Sequence, residues 1–168
     1  MTATHTVVAS PIGDLTLVAE DGRLTGVYFK HDWRRPDPAG FGVRTQAGFD
    51  AVTRQLSEYF ADQREQFDLP ADARGDEFQR SVWDLIGEIG YGQTTTYGEL
   101  ARALGPGVLA KDVGAAVGSN PLAVIVPCHR VVGKDGKLTG YAGGLDRKRF
   151  LLDLERKQFR LDLEAAAR

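Results

Sequence analysis

Apolar and polar residues alternate through Thr6 to Ala9, Leu15 to Glu20 and Leu24 to Phe29, the period of strands with one buried face. Ser10-Pro11-Ile12-Gly13-Asp14 separates the first two runs and Asp21-Gly22 the second two, so the three predict a small antiparallel sheet. A segment rich in Pro, Gly and Arg, from Lys30 to Gly48, reads as a surface connection. Beyond it Phe49, Val52, Leu56, Tyr59 and Phe60 recur at helical spacing. The polar stretch Leu69 to Gly75, with Pro70, predicts a domain boundary. The expected organisation is an N-terminal α+β domain over residues 1–72 and a second domain over residues 73–168.

Past that boundary the period changes to that of helices. Asp76 and Gln79 have the spacing of a capping box, and Phe78, Val82, Leu85, Ile86 and Ile89 form one face. Thr96-Tyr97-Gly98-Glu99 is a second capping box, opening a short helix through Leu100, Ala101 and Leu104 that Gly105-Pro106-Gly107 stops. A further short helix is expected from about Leu109 to Gly118. Two short helices around a Gly-containing turn suit a helix-turn-helix, and equally an ordinary helical corner. Gly114, Ala115, Ala116 and Gly118 leave the second helix nearly bare, although each interior Gly costs about 1 kcal/mol relative to Ala. Close packing on another helix explains this. So does close approach to DNA, because a helix is ~10 to 12 Å across and the minor groove only ~6 Å wide. Leu122 to Val126 predicts a buried strand. A last helix starts near Asp146, with Phe150, Leu151 and Leu154 on its buried side.

With 168 residues, 42% hydrophobic and 26% charged, the chain has the composition of a folded protein. No apolar run approaches the ~20 residues that cross a bilayer, and Met1 to Ala9 lacks the order of a signal peptide; the expectation is a cytoplasmic protein with no membrane partner. The net charge of −2 conceals a polarity. Residues 1–96 carry 9 basic and 15 acidic side chains, whereas residues 97–157 carry 10 and 6. A local positive excess attracts a polyanion, though a solvated surface has the same composition.

The one cysteine, Cys128, can form no internal disulfide, and with three scattered histidines it makes a poor zinc site. It is either an inert small hydrophobe or a nucleophile. His129 beside it favours the second reading, since an imidazole raises the thiolate fraction. Neighbours in extended chain point to opposite faces, however, so a bridging water or a bend after Cys128 is required. Glu155, one turn beyond Leu151 and Leu152, either lies in solvent or turns inward to hold His129 in one tautomer.

Asn120-Pro121, Ile125-Val126-Pro127-Cys128-His129-Arg130-Val131, Gly140-Tyr141-Ala142-Gly143-Gly144-Leu145, Lys148 and Leu151-Leu152 with Glu155 resemble the signature of O6-alkylguanine-DNA alkyltransferases. Phe78-Gln79, Val82-Trp83, Tyr91-Gly92-Gln93-Thr94 and Thr96 to Ala101 extend the likeness over about residues 77–155. Ser10-Pro11-Ile12-Gly13 and the following strand pair resemble the family's N-terminal domain. The resemblance implies an α+β fold: a small N-terminal antiparallel sheet with a helix, then a mostly helical domain containing a helix-turn-helix. It implies direct, irreversible transfer of an alkyl group from O6 of guanine, or O4 of thymine, to Cys128, with no cofactor and no metal. The implied partner is double-stranded DNA carrying alkylated bases, bound by a monomer, with cooperative assembly on DNA left open.

By the same resemblance Cys128 is the nucleophile, His129 the water-assisted base and Glu155 the group that orients it, while Asn120 holds the turn before the active-site segment. Tyr97, Val131, Tyr141, Ala142, Gly143 and Lys148 are expected around the flipped base. Thr96, Lys111, Gly114 and Ala115 are expected on the DNA side. Two positions depart from the family pattern: Lys111 stands where an arginine usually enters the base stack, and Gly90 replaces a proline. A non-catalytic damage-binding relative is disfavoured by the presence of Cys128. A cysteine hydrolase is disfavoured because no oxyanion hole is identifiable.

Overall fold

The computed structural model describes residues 2–167. The chain forms two compact units, one of residues up to Arg74 together with Pro121–Ile125, the other of Gly75–Asn120 and the residues from Val126 onward.

In the first unit β1 (Ala3–Val8), β2 (Leu15–Glu20) and β3 (Arg23–Phe29) pair antiparallel in that order. Asp21 and Gly22 both have positive φ, 52° and 80°, the two-residue turn that matches the twist of a hairpin. The inward residues Leu15, Leu17, Val27 and Phe29 are buried, as are Val52, Leu56 and Tyr59 on α1 (Asp50–Phe60). The alternation places the three strands but not a single buried face, since Val18 and Tyr28 on the opposite side of the sheet are buried with Phe41 from the 30–48 segment. β1 begins at Ala3, before the alternating run, and a two-residue strand, β4 (Val43–Arg44), pairs parallel with β1. β4 lies in the segment expected to be a surface connection. Both its side chains are exposed, so no burial pattern marks it, and backbone pairing alone makes it a strand.

The outer edge of β3 is occupied by two distant pieces of chain. Leu24 donates to Pro70 O at 2.9 Å, and Val27 donates to Pro121 O at 2.8 Å. The second contact corrects the expectation of a strand over 122–126. Leu122 forms one bridge with Val27 and the chain then turns through Ala123–Ile125, with Val124 at φ 70°. An apolar run reports burial, and here the buried segment is a turn rather than a ladder.

In the second unit α2 (Glu77–Gly87) starts at the expected capping box, with Asp76 Oδ1 accepting from Gln79 N at 2.8 Å and Gln79 Oε1 accepting from Asp76 N at 2.9 Å. Val82, Trp83 and Ile86 are buried, and the Trp83 indole donates to Ala116 O of α4 (Ala110–Gly118) at 2.8 Å. β5 (Thr95–Thr96) leads into α3 (Tyr97–Leu104). Its capping box is only half formed. Thr96 Oγ1 accepts from Glu99 N at 3.1 Å, but the Glu99 carboxylate takes the Thr95 hydroxyl at 2.8 Å, Thr96 itself being paired in β5. β6 (Val131–Val132) pairs parallel with β5. The last helix, α5 (Leu145–Ala166), buries Lys148, Leu151, Leu152 and Glu155, whereas Phe150 is 40% exposed. The buried stripe is the i, i+3, i+4, i+7 set that starts at Lys148; Phe150 falls off it, which corrects its expected place in the core.

Among the described residues no helix is long and apolar enough to cross a membrane, and no group of three or more His, Cys, Asp or Glu is placed to hold a metal. Replacing Asp76 by Ala removes one arm of the α2 capping box and should lower unfolding stability by about 1 kcal/mol. An unchanged urea midpoint at unchanged slope would contradict that assignment.

Candidate active site

The chain bends at Cys128 instead of continuing extended. Cys128–Arg130 form one turn of 3-10 helix directly after Pro127, closed by Arg130 N donating to Pro127 O at 2.9 Å. Three residues per turn place successive side chains a third of a turn apart rather than on opposite faces. The turn is enclosed: Cys128 is 5%, His129 0% and Arg130 8% exposed. Upstream, fully buried Asn120 donates through Nδ2 to Val126 O at 2.9 Å. That bond ties the end of α4 to the residue two before the cysteine. Downstream, Val131 and Val132 pair with Thr95 and Thr96, so the β5–β6 ladder fixes the start of α3, and with it Tyr97, beside the turn.

Glu155 turns inward. Its Oε2 lies 2.6 Å from His129 Nε2, and both residues are fully buried. Arg130 grips the same carboxylate in a fork, Nε to Oε1 at 2.7 Å and Nη2 to Oε2 at 3.1 Å. The remaining arm of the guanidinium donates to Ile89 O at 2.7 Å, and the Tyr91 ring centroid is 5.7 Å from it. Burial pushes the Glu155 pKa up, but His129 and Arg130 together outweigh it and hold the carboxyl at about 2. An ionised carboxylate only accepts hydrogen bonds, so His129 Nε2 carries the proton that points at it. In the neutral imidazole Nδ1 is then the nitrogen that keeps a lone pair. It is buried and has no protein partner among the described residues.

Lys148 projects from the first turns of α5 and is fully buried. Its ammonium donates to Gly140 O at 3.0 Å and lies 5.9 Å from the centre of the Tyr97 ring. Burial lowers its pKa, and negative charge at Cys128 opposes that shift. Arg147 donates to Gly143 O at 2.9 Å, and Gly144 N to Tyr141 O at 2.9 Å. The Gly140–Gly144 loop is thus held on α5, with Tyr141 and Ala142 half-buried and Gly143 buried. The Tyr97 hydroxyl accepts from Thr139 Oγ1 at 3.3 Å.

On α4, Lys111 and Ala115 are exposed and Gly114 is half-buried. A Cβ on Gly114 would lie 3.8 Å from Tyr97 Cδ1, an ordinary contact, so packing against α3 does not by itself demand glycine there. Among the described residues Lys111 forms no ion pair with Asp112 or Glu99; the Glu99 carboxylate is taken by Thr95. Arg130 is the site residue that sequence reasoning passed over. Its signals were its place in the signature segment Ile125 to Val131 and its position two residues after the cysteine, but no role was attached to it.

The depressed Glu155 pKa sets the sign of an acid limb. A carboxyl held at about 2 in the folded chain and near 4.5 when unfolded contributes stability that is complete above about pH 4.5 and is lost as the pH falls towards about 2. In thermal melts, the difference between the chain and Glu155→Gln should be largest near neutral pH and shrink across that window. A difference independent of pH would refute this reading.

Residues 77–157 match the family described as 6-O-methylguanine DNA methyltransferase, DNA binding domain, and residues 4–73 match its ribonuclease-like domain. The chain is 47% identical over 150 residues to a methylated-DNA–protein-cysteine methyltransferase of Mycolicibacterium paratuberculosis, covering 89% of this chain and 90% of that protein. A protein of the same name from Methanosarcina acetivorans is 44% identical, covering 89% of this chain and 96% of that protein. Among solved structures, the Mycobacterium tuberculosis O6-methylguanine methyltransferase superposes with a TM-score of 0.84 at 42% identity, covering 94% of each chain. The Mycobacterium tuberculosis OGT in complex with DNA gives 0.81 at 43% identity, covering 92% of this chain and 94% of that one. With its buried thiol–imidazole–carboxylate set and this likeness over both units, the chain belongs to the 6-O-methylguanine DNA methyltransferase family, the methylated-DNA–protein-cysteine methyltransferases that repair DNA by moving an alkyl group onto a cysteine.

Proposed function

We propose that Cys128 is the acceptor for the alkyl group of O6-alkylguanine, and of O4-alkylthymine, in double-stranded DNA. The observation that carries this reading is the His129–Glu155 hydrogen bond of 2.6 Å on the turn that bears the thiol. It leaves His129 Nδ1 as a base beside the one cysteine. In the reaction the Cys128 proton passes through a water to Nδ1, and the sulfur attacks the saturated alkyl carbon. The S–C bond forms as the C–O bond breaks, and its electron pair returns to the base, which takes up a proton. Tyr97 and Tyr141 supply the hydrogen bonds that ease departure of the base, while Val131, Ala142 and Gly143 line its pocket and Lys148 favours the thiolate. Glu155 orients His129, and Asn120 holds the turn. The thioether has no ready leaving reaction, so each chain acts once.

A thiol this enclosed cannot reach an atom inside a base stack, so the damaged nucleotide is flipped out. The small-residue face of α4 enters the minor groove, with Gly114 and Ala115 permitting close approach and Thr96 and Lys111 alongside. The DNA complex of the Mycobacterium tuberculosis relative supports DNA as the partner. The chain acts as a monomer that can assemble further along DNA.

Incubation with an O6-methylguanine duplex should add one methyl group per chain at Cys128, read by intact-protein and peptide mass, and Cys128→Ser should bind the duplex without accepting the group. Repeated turnover by one chain would overturn the proposal. Lys111 lacks the planar guanidinium that stacks in a vacated base position. Lys111→Arg should therefore speed transfer from duplex more than from single-stranded oligonucleotide, and Lys111→Ala should do the reverse. An unchanged duplex-to-single-strand rate ratio would remove Lys111 from the flipping step.

A further inference from the structure

Two side chains compete for one buried carboxylate. Glu155 Oε2 accepts from His129 Nε2 at 2.6 Å and from Arg130 Nη2 at 3.1 Å, and Oε1 accepts from Arg130 Nε at 2.7 Å. A carboxylate facing an imidazole alone in a fully buried site favours the imidazolium, because the ion pair cancels an otherwise isolated negative charge. An imidazolium is no base. Here the negative charge is already cancelled by a guanidinium that keeps its proton throughout the accessible pH range. Protonating His129 at rest would leave an unmatched positive charge at a residue with 0% exposure. A second cation, Lys148, also lies near Cys128.

We infer that Arg130 is a positioning residue which, by satisfying Glu155, keeps His129 neutral with its proton on Nε2, and so sets the pH range over which Cys128 can be activated. The inference rests on the transfer chemistry proposed above and assigns a residue that this chemistry does not otherwise use. Within the set Arg130, Glu155, His129 and Cys128 the charges balance at each stage, with Lys148 a further cation outside that set. At rest Arg130 and Glu155 cancel and His129 and the thiol are neutral. After the proton moves, the thiolate and the imidazolium cancel each other. His129 therefore gains its proton only together with the loss of one from Cys128, and Nδ1 stays available in the resting protein. Among the described residues, the imidazole meets Glu155 of α5 directly and shares its turn with Cys128 and Arg130; Lys148 of α5 acts on Cys128, and Tyr91 lies against the guanidinium.

Arg130→Met keeps much of the bulk and removes the charge, whereas Arg130→Lys keeps a charge without the fork. Two measurements apply to each variant: 15N NMR titration of histidine-labelled protein, with His5 and His31 the other two signals, and the pH profile of single-turnover methyl transfer from an O6-methylguanine duplex. In Arg130→Met the His129 midpoint should rise by about one pH unit or more, so that transfer near pH 6 falls about tenfold further than transfer near pH 9. Arg130→Lys should leave the midpoint near that of the unaltered chain and slow transfer by one factor at all pH values. A uniform loss in Arg130→Met with an unmoved midpoint, or equal shifts in both variants, overturns the inference. So does an imidazolium at His129 in the unaltered protein at pH 7, which needs no variant to fold. A moved midpoint with an unmoved transfer profile also overturns the inference, because Arg130 would then set the state of His129 but not the pH range of transfer, and it speaks against His129 as the base.

Discussion

The carboxylate of Glu155 fastens the reactive turn to the helix behind it. A buried ion is tolerated only when its partners repay the lost hydration, and here they do so from two adjacent residues of the same turn, His129 and Arg130. One acid thereby fixes the conformation of the turn, the tautomer of the imidazole and the local charge. Structure and chemistry share these atoms. Removing the acid would leave an uncompensated guanidinium inside the unit, so a loss of activity there must be separated from a loss of folding.

The same economy governs how Cys128 is presented. The turn is anchored on one side by Asn120, which bonds Val126 O across the excursion to β3, and on the other by the two-residue β5–β6 ladder. That ladder leads into Tyr97, whose ring faces Gly114 and Lys148. The start of α3, the bare face of α4 and the thiol turn are thus linked by short backbone contacts rather than by long flexible side chains. Such an arrangement holds a nucleophile in place before its target arrives.

Hydrophobic period and capping signals determined most of the secondary structure. The β1–β2–β3 pairing, the helices at 50–60, 77–87, 97–104 and 110–118, and the Asp76–Gln79 box all follow from local spacing, because each depends on residues within a few positions of one another. The chemistry of the site was legible too, since a lone cysteine beside a histidine within a specific signature narrows the reaction to few classes. What failed locally had a non-local cause. β4 is a strand only because β1 lies beside it, and the 122–126 run is a turn because its partner, β3, takes one residue and no more.

The face of α5 illustrates the division most directly. Hydrophobicity alone puts Phe150 inside and leaves Lys148 and Glu155 at the surface. The folded chain reverses all three, with Phe150 40% exposed and the two charged residues at 0%. The sequence determined that a helix begins near Asp146 and that its carboxylate lies one turn from two leucines. Only tertiary structure decided that this carboxylate is buried. Burial of a charge depends on partners brought from elsewhere in the chain, and the guanidinium and imidazole that meet Glu155 lie about 25 residues away, beyond the reach of any local pattern.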